Sequence, residues 1–126
     1  MDQNTGELYG VNAAKGLKVV GGMAKIYVRL LTSFSQGTML DELLDAVASE
    51  DSAQITAKAH ALKGVAANLS LDPLYELSLT IEQDAKNGVA IPANDPRLGE
   101  LSERHRKTLA SIERIIAEPS ILDAYK

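Results

Sequence analysis

An all-α fold, an antiparallel four-helix bundle with one or two short extra helices at its N-terminus, is what three features of the sequence predict. Apolar residues recur at helical spacing in segment after segment, with no convincing strand and no internal repeat. Aromatic residues make up 4% of the 126, with one Phe and no Trp, so the core is aliphatic and suits packed helices. Paired start and stop signals divide the chain into single-faced segments with short connections, which close most simply into a bundle.

Met1 to Gly10 is polar and contains glycine, and it reads as a flexible lead-in. Asn12 caps a short helix through Val20, and Gly21-Gly22 breaks the chain. Met23 to Ser35 presents Met23, Ile26, Tyr27, Leu30, Leu31 and Phe34 on one face. Gly37 stops it, and Thr38 with Asp41 starts a helix that carries Leu40, Leu43, Leu44 and Val47 to about Ser49. Asp51 is the next N-cap, with Gln54 three residues on, and its helix runs to about Leu69. Asp72-Pro73 pairs an acidic cap with proline at the first helical position. Leu74, Leu77 and Ile81 follow, and Asn87-Gly88 ends that helix. After a linker from Val89 to Asn94, Asp95-Pro96 repeats the device. Leu98, Leu101, Leu109, Ile112 and Ile116 mark a long helix closed by Pro119. The bundle is expected from Met23–Ser35, Asp51–Leu69, Asp72–Asn87 and Pro96–Glu118. The Thr38 helix is either the first arm of a hairpin with the next helix or a separate arm.

Composition excludes several classes of function. The formal charge is −4, and the basic group Arg104, Arg106 and Lys107 is short and offset by nearby acids, so no nucleic-acid partner is expected. The absence of cysteine removes disulfides, thiolate metal sites and cysteine nucleophiles. No apolar run follows a basic start and none approaches roughly 18 residues, so a cytoplasmic protein without membrane contact is expected. No Glu-x-x-His pair offers a di-metal site, and no intrinsic cofactor is expected. With no glycine-rich phosphate loop, the chain is not expected to be a kinase or other enzyme.

The helix from Asp51 to Leu69 holds the anomaly. Its core arc, at about 100° per residue, is Ile55, Ala59, Leu62, Val65, Ala66 and Leu69. Lys58 falls about 40° from Leu62, inside that arc, which predicts a stem packed along the face with its tip in water. His60 falls about 160° from Leu62 and faces solvent. Its neighbours on the outer face are Ala53, Thr56, Ala57, Gly64 and Ala67, where an ordinary solvated face would carry long charged side chains. Small residues let another molecule approach the backbone. Gly64 costs about 1 kcal/mol relative to alanine in a helix, and it clears the approach to His60. A neutral imidazole can attack phosphorus and form an N–P bond, and Lys63, three residues on, can neutralise phosphoryl charge as a mobile ammonium. Asn68 reads as a helix-end polar group. His105 falls within about 20° of Ile112 and reads as a packed, hydrogen-bonded histidine.

His60-Ala61-Leu62-Lys63-Gly64, followed by Asn68-Leu69, resembles the H-x-L-K-G…N-L-G signature of histidine-containing phosphotransfer (HPt) domains. Upstream, Gly16-Leu17, Gly21-Gly22, Tyr27, Leu30-Leu31 and Phe34 resemble that family's opening helices, so the resemblance runs from about Val11 to Ile116. It implies an HPt-like bundle over 11–118, between a lead-in at 1–10 and a C-terminal tail at 119–126. It implies that His60 takes a phosphoryl group from the aspartyl phosphate of a response-regulator receiver domain and passes it to another, or back. Lys63 would stabilise phosphoryl charge, Gly64 would give clearance, and Ala53, Thr56, Ala57 and Ala67 would face the docked partner. Glu82 would accept a hydrogen bond from one ring nitrogen. Mg²⁺ would come with the receiver. Lys58, Val65 and Ser70 depart from the family pattern, which has an apolar residue, a small residue and glycine there. Two further readings use the same face: a helical adaptor that carries no phosphate, and the HPt piece of a larger sensor kinase, a hybrid histidine kinase for example, phosphorylated directly by a kinase domain.

Overall fold

The computed structural model describes residues 8–126, and among them it has six α-helices, a closing 3₁₀ helix and no strand. The helices are α1 (Ala13–Val19), α2 (Ala24–Ser35), α3 (Met39–Ala48), α4 (Ser52–Leu69), α5 (Asp72–Lys86) and α6 (Pro96–Ala117), with the 3₁₀ helix at Pro119–Tyr125. No helix among the described residues is long and apolar enough to cross a membrane.

Local signals set most of the helix starts. Asn12 Oδ1 accepts from the Lys15 N–H, Asp51 Oδ1 from Gln54 N–H and Asp95 Oδ1 from Arg97 N–H, each filling one of the donors a helix start leaves open. Thr38 makes no side-chain cap; its hydroxyl donates to Glu42 Oε2 at 2.7 Å instead. Asp72 lies inside the first turn of α5 and Leu71 holds the cap position, so the expected acidic cap is corrected. The Asp72 carboxylate is turned to α1, where it accepts from Asn12 Nδ2 at 3.2 Å and Lys15 Nζ at 2.8 Å.

The bundle closes as a ring. α4 packs most extensively on α5 and next on α3, α5 packs on α6, and α6 returns to α2 and α3. The Thr38 helix is therefore the first arm of a hairpin with α4, and the wall expected from Met23–Ser35 alone is shared between α2 and α3. Tyr27, Leu31, Leu43, Leu62, Leu74, Ile81, Leu101, Ile112 and Ile115 are fully buried at its centre. Three expected faces differ in detail. Met23 and Leu30 of α2 are exposed, at 49% and 41%. Val65 is half-buried at the edge of the core. On α6, Ile115 is buried where Ile116 was expected, with Thr108 and Ser111 beside it. Their small side chains admit the N-terminal segment: Ser111 Oγ donates to the Tyr9 carbonyl at 2.8 Å, and Gly10 lies directly against Thr108.

The segment from Leu8 to Val11 and the C-terminal segment are more tightly held than the sequence suggests. The part of the predicted lead-in before Leu8 lies outside the described residues, but Leu8 is buried and Val11 with it. The expected tail is a 3₁₀ helix against α1, α2 and α6, with Leu122 fully buried. The Lys58 tip reaches the surface as expected, and there its ammonium pairs with Glu42 Oε1 of α3 at 2.9 Å. That pairing, with the Thr38 hydroxyl, holds Glu42 below the usual carboxylate range.

Ser70, where the resemblance led one to expect glycine, still ends α4 in the left-handed conformation, at φ 59° and ψ 43°. The Leu71 N–H reaches back to the Ala66 carbonyl at 2.8 Å, which closes the helix. A side chain in that conformation costs roughly 1–2 kcal/mol, and the buried Ser70 hydroxyl has no hydrogen-bond partner among the described residues. Ser70→Gly should raise stability by about 1 kcal/mol, after the larger unfolded-state freedom of glycine is subtracted. A urea midpoint that stays put or falls would contradict this account of the helix end.

Candidate functional site

The site is built on the middle of α4 and one residue of α5. Ile55, Ala59, Leu62, Ala66 and Leu69 bury the inner face of α4. That fixes its rotation and turns His60 out, with a side chain 67% exposed. On the same side Ala53, Ala57 and Ala67 are exposed, and Thr56 and Gly64 are half-exposed. Thr56 folds its hydroxyl back onto the Ser52 carbonyl, which shortens its reach outward.

Gly64 has no reason within the protein. A Cβ built there meets nothing within 4 Å, so helix packing does not demand glycine. What the missing side chain leaves open is space outside the fold, beside His60.

α5 supplies the second half. Glu82 is 8% exposed and lies between two groups of α4. Its Oε2 is 2.7 Å from His60 Nδ1, and its Oε1 is 2.7 Å from Lys63 Nζ. Lys63 is thus ion-paired, with a side chain only 23% exposed, rather than a mobile ammonium in solvent. The lysine contact is the main cause holding the Glu82 carboxyl below its ordinary range; the histidine contact adds to it and burial opposes it. An ionised carboxylate can only accept, so Nδ1 carries the proton of the neutral ring. Nε2 is left as the lone-pair nitrogen of an exposed imidazole, the nucleophilic form.

Beside the site an apolar groove of about 430 Å³ runs between α2, α3 and α4, lined by Leu30, Phe34, Met39, Val65 and Asn68 among others. Asn68, which lines it, lies one turn beyond Gly64 on α4. The residues of this groove were not foreseen as part of a site. The signal was present in the excess of apolar residues on α2, more than one face could bury.

His105 is elsewhere. Its ring packs edge-on against Phe34, with centroids 5.7 Å apart, and no hydrogen bond holds it among the described residues. Burial lowers its pKa, and Asp41 opposes that. The histidine is packed as expected, but through a ring contact and not a hydrogen bond. Among the described residues no group of three or more His, Asp or Glu side chains could hold a metal ion.

Comparison with known proteins agrees with this geometry. The family model described as "Hpt domain" matches residues 31–117, well over half of the chain, beginning within α2. No curated protein matches the chain. The HPt domain of an Hpt sensor hybrid histidine kinase from Shewanella has the same fold, with a TM-score of 0.76 over 89% of this chain and 97% of that one, at 17% identity. With an outward imidazole on a cleared helix face inside the matched segment, the chain belongs to the Hpt domain family, the phosphotransfer modules of two-component signalling.

Proposed function

We propose that His60 is the phosphoacceptor of a phosphorelay, taking a phosphoryl group from the aspartyl phosphate of one response-regulator receiver domain and giving it to another, or back. The observation that carries this reading is the exposed ring whose Nδ1 is tied to a nearly buried carboxylate, on a face of small residues. In the forward step Nε2 attacks phosphorus. The N–P bond forms as the P–O bond to the aspartate breaks, and that electron pair returns to the carboxylate.

The chain's part in this reading is to position the nucleophile and offer a dock, as a phosphocarrier. Ala53, Thr56, Ala57, Gly64 and Ala67 let the receiver come close to the α4 backbone, and the adjoining groove gives apolar area for the contact. Lys63, its ammonium paired with Glu82, brings positive charge to the site to offset that of the phosphoryl group. Mg²⁺ belongs to the receiver in this proposal and would neutralise the phosphoryl group in flight. A hybrid histidine kinase is the second class of partner, because the structural neighbour is itself the HPt domain of one.

Mixing the protein with a labelled, phosphorylated receiver tests this. Label should pass to it in an acid-labile, base-stable form. His60→Gln should abolish transfer and leave the helical circular dichroism unchanged. A receiver complex of equal affinity for wild type and His60→Gln, with no labelled product from either, would favour the adaptor reading instead.

A further inference from the structure

Glu82 is a carboxylate in a place where an amide could also have oriented the ring. A neutral acceptor would also hold the Nδ1 proton of the unmodified histidine, though less strongly. The carboxylate differs most once the ring becomes a cation. It does so after phosphorylation, since a ring with phosphorus on Nε2 and hydrogen on Nδ1 carries a positive charge.

That proton decides whether the phosphoryl group can leave. When the receiver's carboxylate oxygen attacks phosphorus, the N–P bond breaks and its electron pair returns to Nε2. If Nδ1 still carries its proton, the leaving group is neutral imidazole. If Nδ1 has lost it, the leaving group is the imidazolide anion, a far stronger base and a poor leaving group. The outgoing step therefore needs the phosphorylated ring to stay protonated.

Resting on the reading of His60 as phosphoacceptor, we infer that Glu82 keeps the ring of phosphorylated His60 protonated at Nδ1, so that imidazole and not imidazolide leaves, and that Lys63 limits how firmly it does so. The contacts carry the inference. Glu82 Oε2 lies 2.7 Å from Nδ1, close enough for a charge-assisted hydrogen bond. Glu82 is only 8% exposed, so water screens its charge weakly. The same carboxylate meets the Lys63 ammonium at 2.7 Å through Oε1. Lys63 is thus a cation competing with the ring for one anion. From α5 the charged group against the ring is Glu82, and from α4 the charged group on that same carboxylate is Lys63. On α3, the other helix packed extensively on α4, Glu42 is paired with Lys58. In this arrangement Glu82 and Lys63 are positioning residues acting through the ring, with opposite signs.

The experiment phosphorylates the full chain with phosphoramidate, a small donor that needs no dock, and follows ring ¹⁵N shifts of phosphorylated His60 against pH. Glu82→Gln should lower the protonation midpoint by at least one unit, a tenfold change in the proton's binding constant. Lys63→Met should raise it. Transfer to a receiver should lose its alkaline limb at correspondingly lower pH in Glu82→Gln. Midpoints equal within about 0.2 unit in all three proteins, or shifted in the same direction by both substitutions, would overturn the inference while leaving His60 as acceptor. If wild-type His60 takes no phosphoryl group from phosphoramidate or from a receiver, the acceptor reading falls and the inference with it.

Discussion

Gly64→Leu should make the protein more stable and nearly useless as a partner of a receiver. Two facts set the signs. Glycine inside a helix costs about 1 kcal/mol relative to alanine, and leucine is close to alanine on that scale. The space where its side chain would begin is empty, since a Cβ meets nothing within 4 Å. The substitution therefore gains between about 0.5 and 1 kcal/mol of helix stability with no clash at its Cβ. The same side chain would stand one turn from His60 on the face proposed as the receiver's dock. A displacement of about 1 Å at a reacting centre can cost on the order of 100-fold in rate, so receiver-dependent transfer should fall by at least that much. Phosphoramidate, which is small, should still modify His60 at close to the wild-type rate. Thermal melts, receiver transfer and phosphoramidate labelling on one preparation decide the matter. Receiver transfer within twofold of wild type would show that the cleared face is not a dock. A lower melting temperature would show that Gly64 has a packing role that the structure does not reveal.

The outward histidine and its bald surroundings were legible in the sequence because both follow from helical phase alone. The caps at Asn12, Asp51 and Asp95 were legible for a similar reason: each is satisfied by a residue two or three positions on. What depended on a second element was not readable. The Lys63–Glu82 ion pair joins two helices whose relative rotation no single wheel supplies. Family resemblance pointed to Glu82 as a partner of the ring, but nothing in the sequence marked it as nearly buried or already paired. On α6 the wheel placed Ile116 inside because a count of apolar residues prefers it. The fold buries Ser111 and Ile115 instead, since Ser111 can bond the Tyr9 carbonyl where the N-terminal segment crosses. That segment looked loose for the same reason, as its partners lie about a hundred residues away. The partner of the Lys58 tip was not readable because Glu42 belongs to the preceding helix, whose own place in the bundle was open.

In the proposed reading the reacting group sits on a helix rather than a loop. Catalytic geometry needs positions held to a fraction of an ångström, and a helix wedged by five buried side chains provides that. Three groups then act as one unit: a ring, the carboxylate that fixes its proton, and the ammonium that keeps the carboxylate charged. The sign of the acid response follows from the depressed Glu82 pKa. A carboxyl lowered in the fold contributes stability above its unfolded value and loses that contribution as pH falls through its folded value. The orientation of His60 should therefore persist through neutral pH and fail only in acid.

Gly16→Ala should be among the most damaging single-methyl changes available in this protein. Unlike Gly64, Gly16 is held by its neighbours: a Cβ there would overlap the hydroxyl and the adjoining ring atoms of Tyr27. Tyr27 cannot easily retreat. Its ring is fully buried, and its hydroxyl donates to the Leu69 carbonyl at 2.7 Å, at the last residue of α4. Burial, with Asp72 nearby, pushes its phenol pKa well up, so it remains a donor across the working range of pH. Either α1 moves off the bundle, or the tyrosine shifts and breaks that bond. Overpacking costs roughly 1–3 kcal/mol. A buried hydrogen bond left unmade adds about 1–3 kcal/mol. A loss of about 2–4 kcal/mol is expected, a large share of the 5–15 kcal/mol typical of a domain. The double variant Gly16→Ala/Tyr27→Leu tests the mechanism, because the smaller side chain makes room for the new methyl. Its destabilisation should be smaller than the sum of the two single changes by at least about 1 kcal/mol. Additive losses in urea would mean that Gly16 and Tyr27 act independently, and that α1 is not seated on α2 and the end of α4 through this contact.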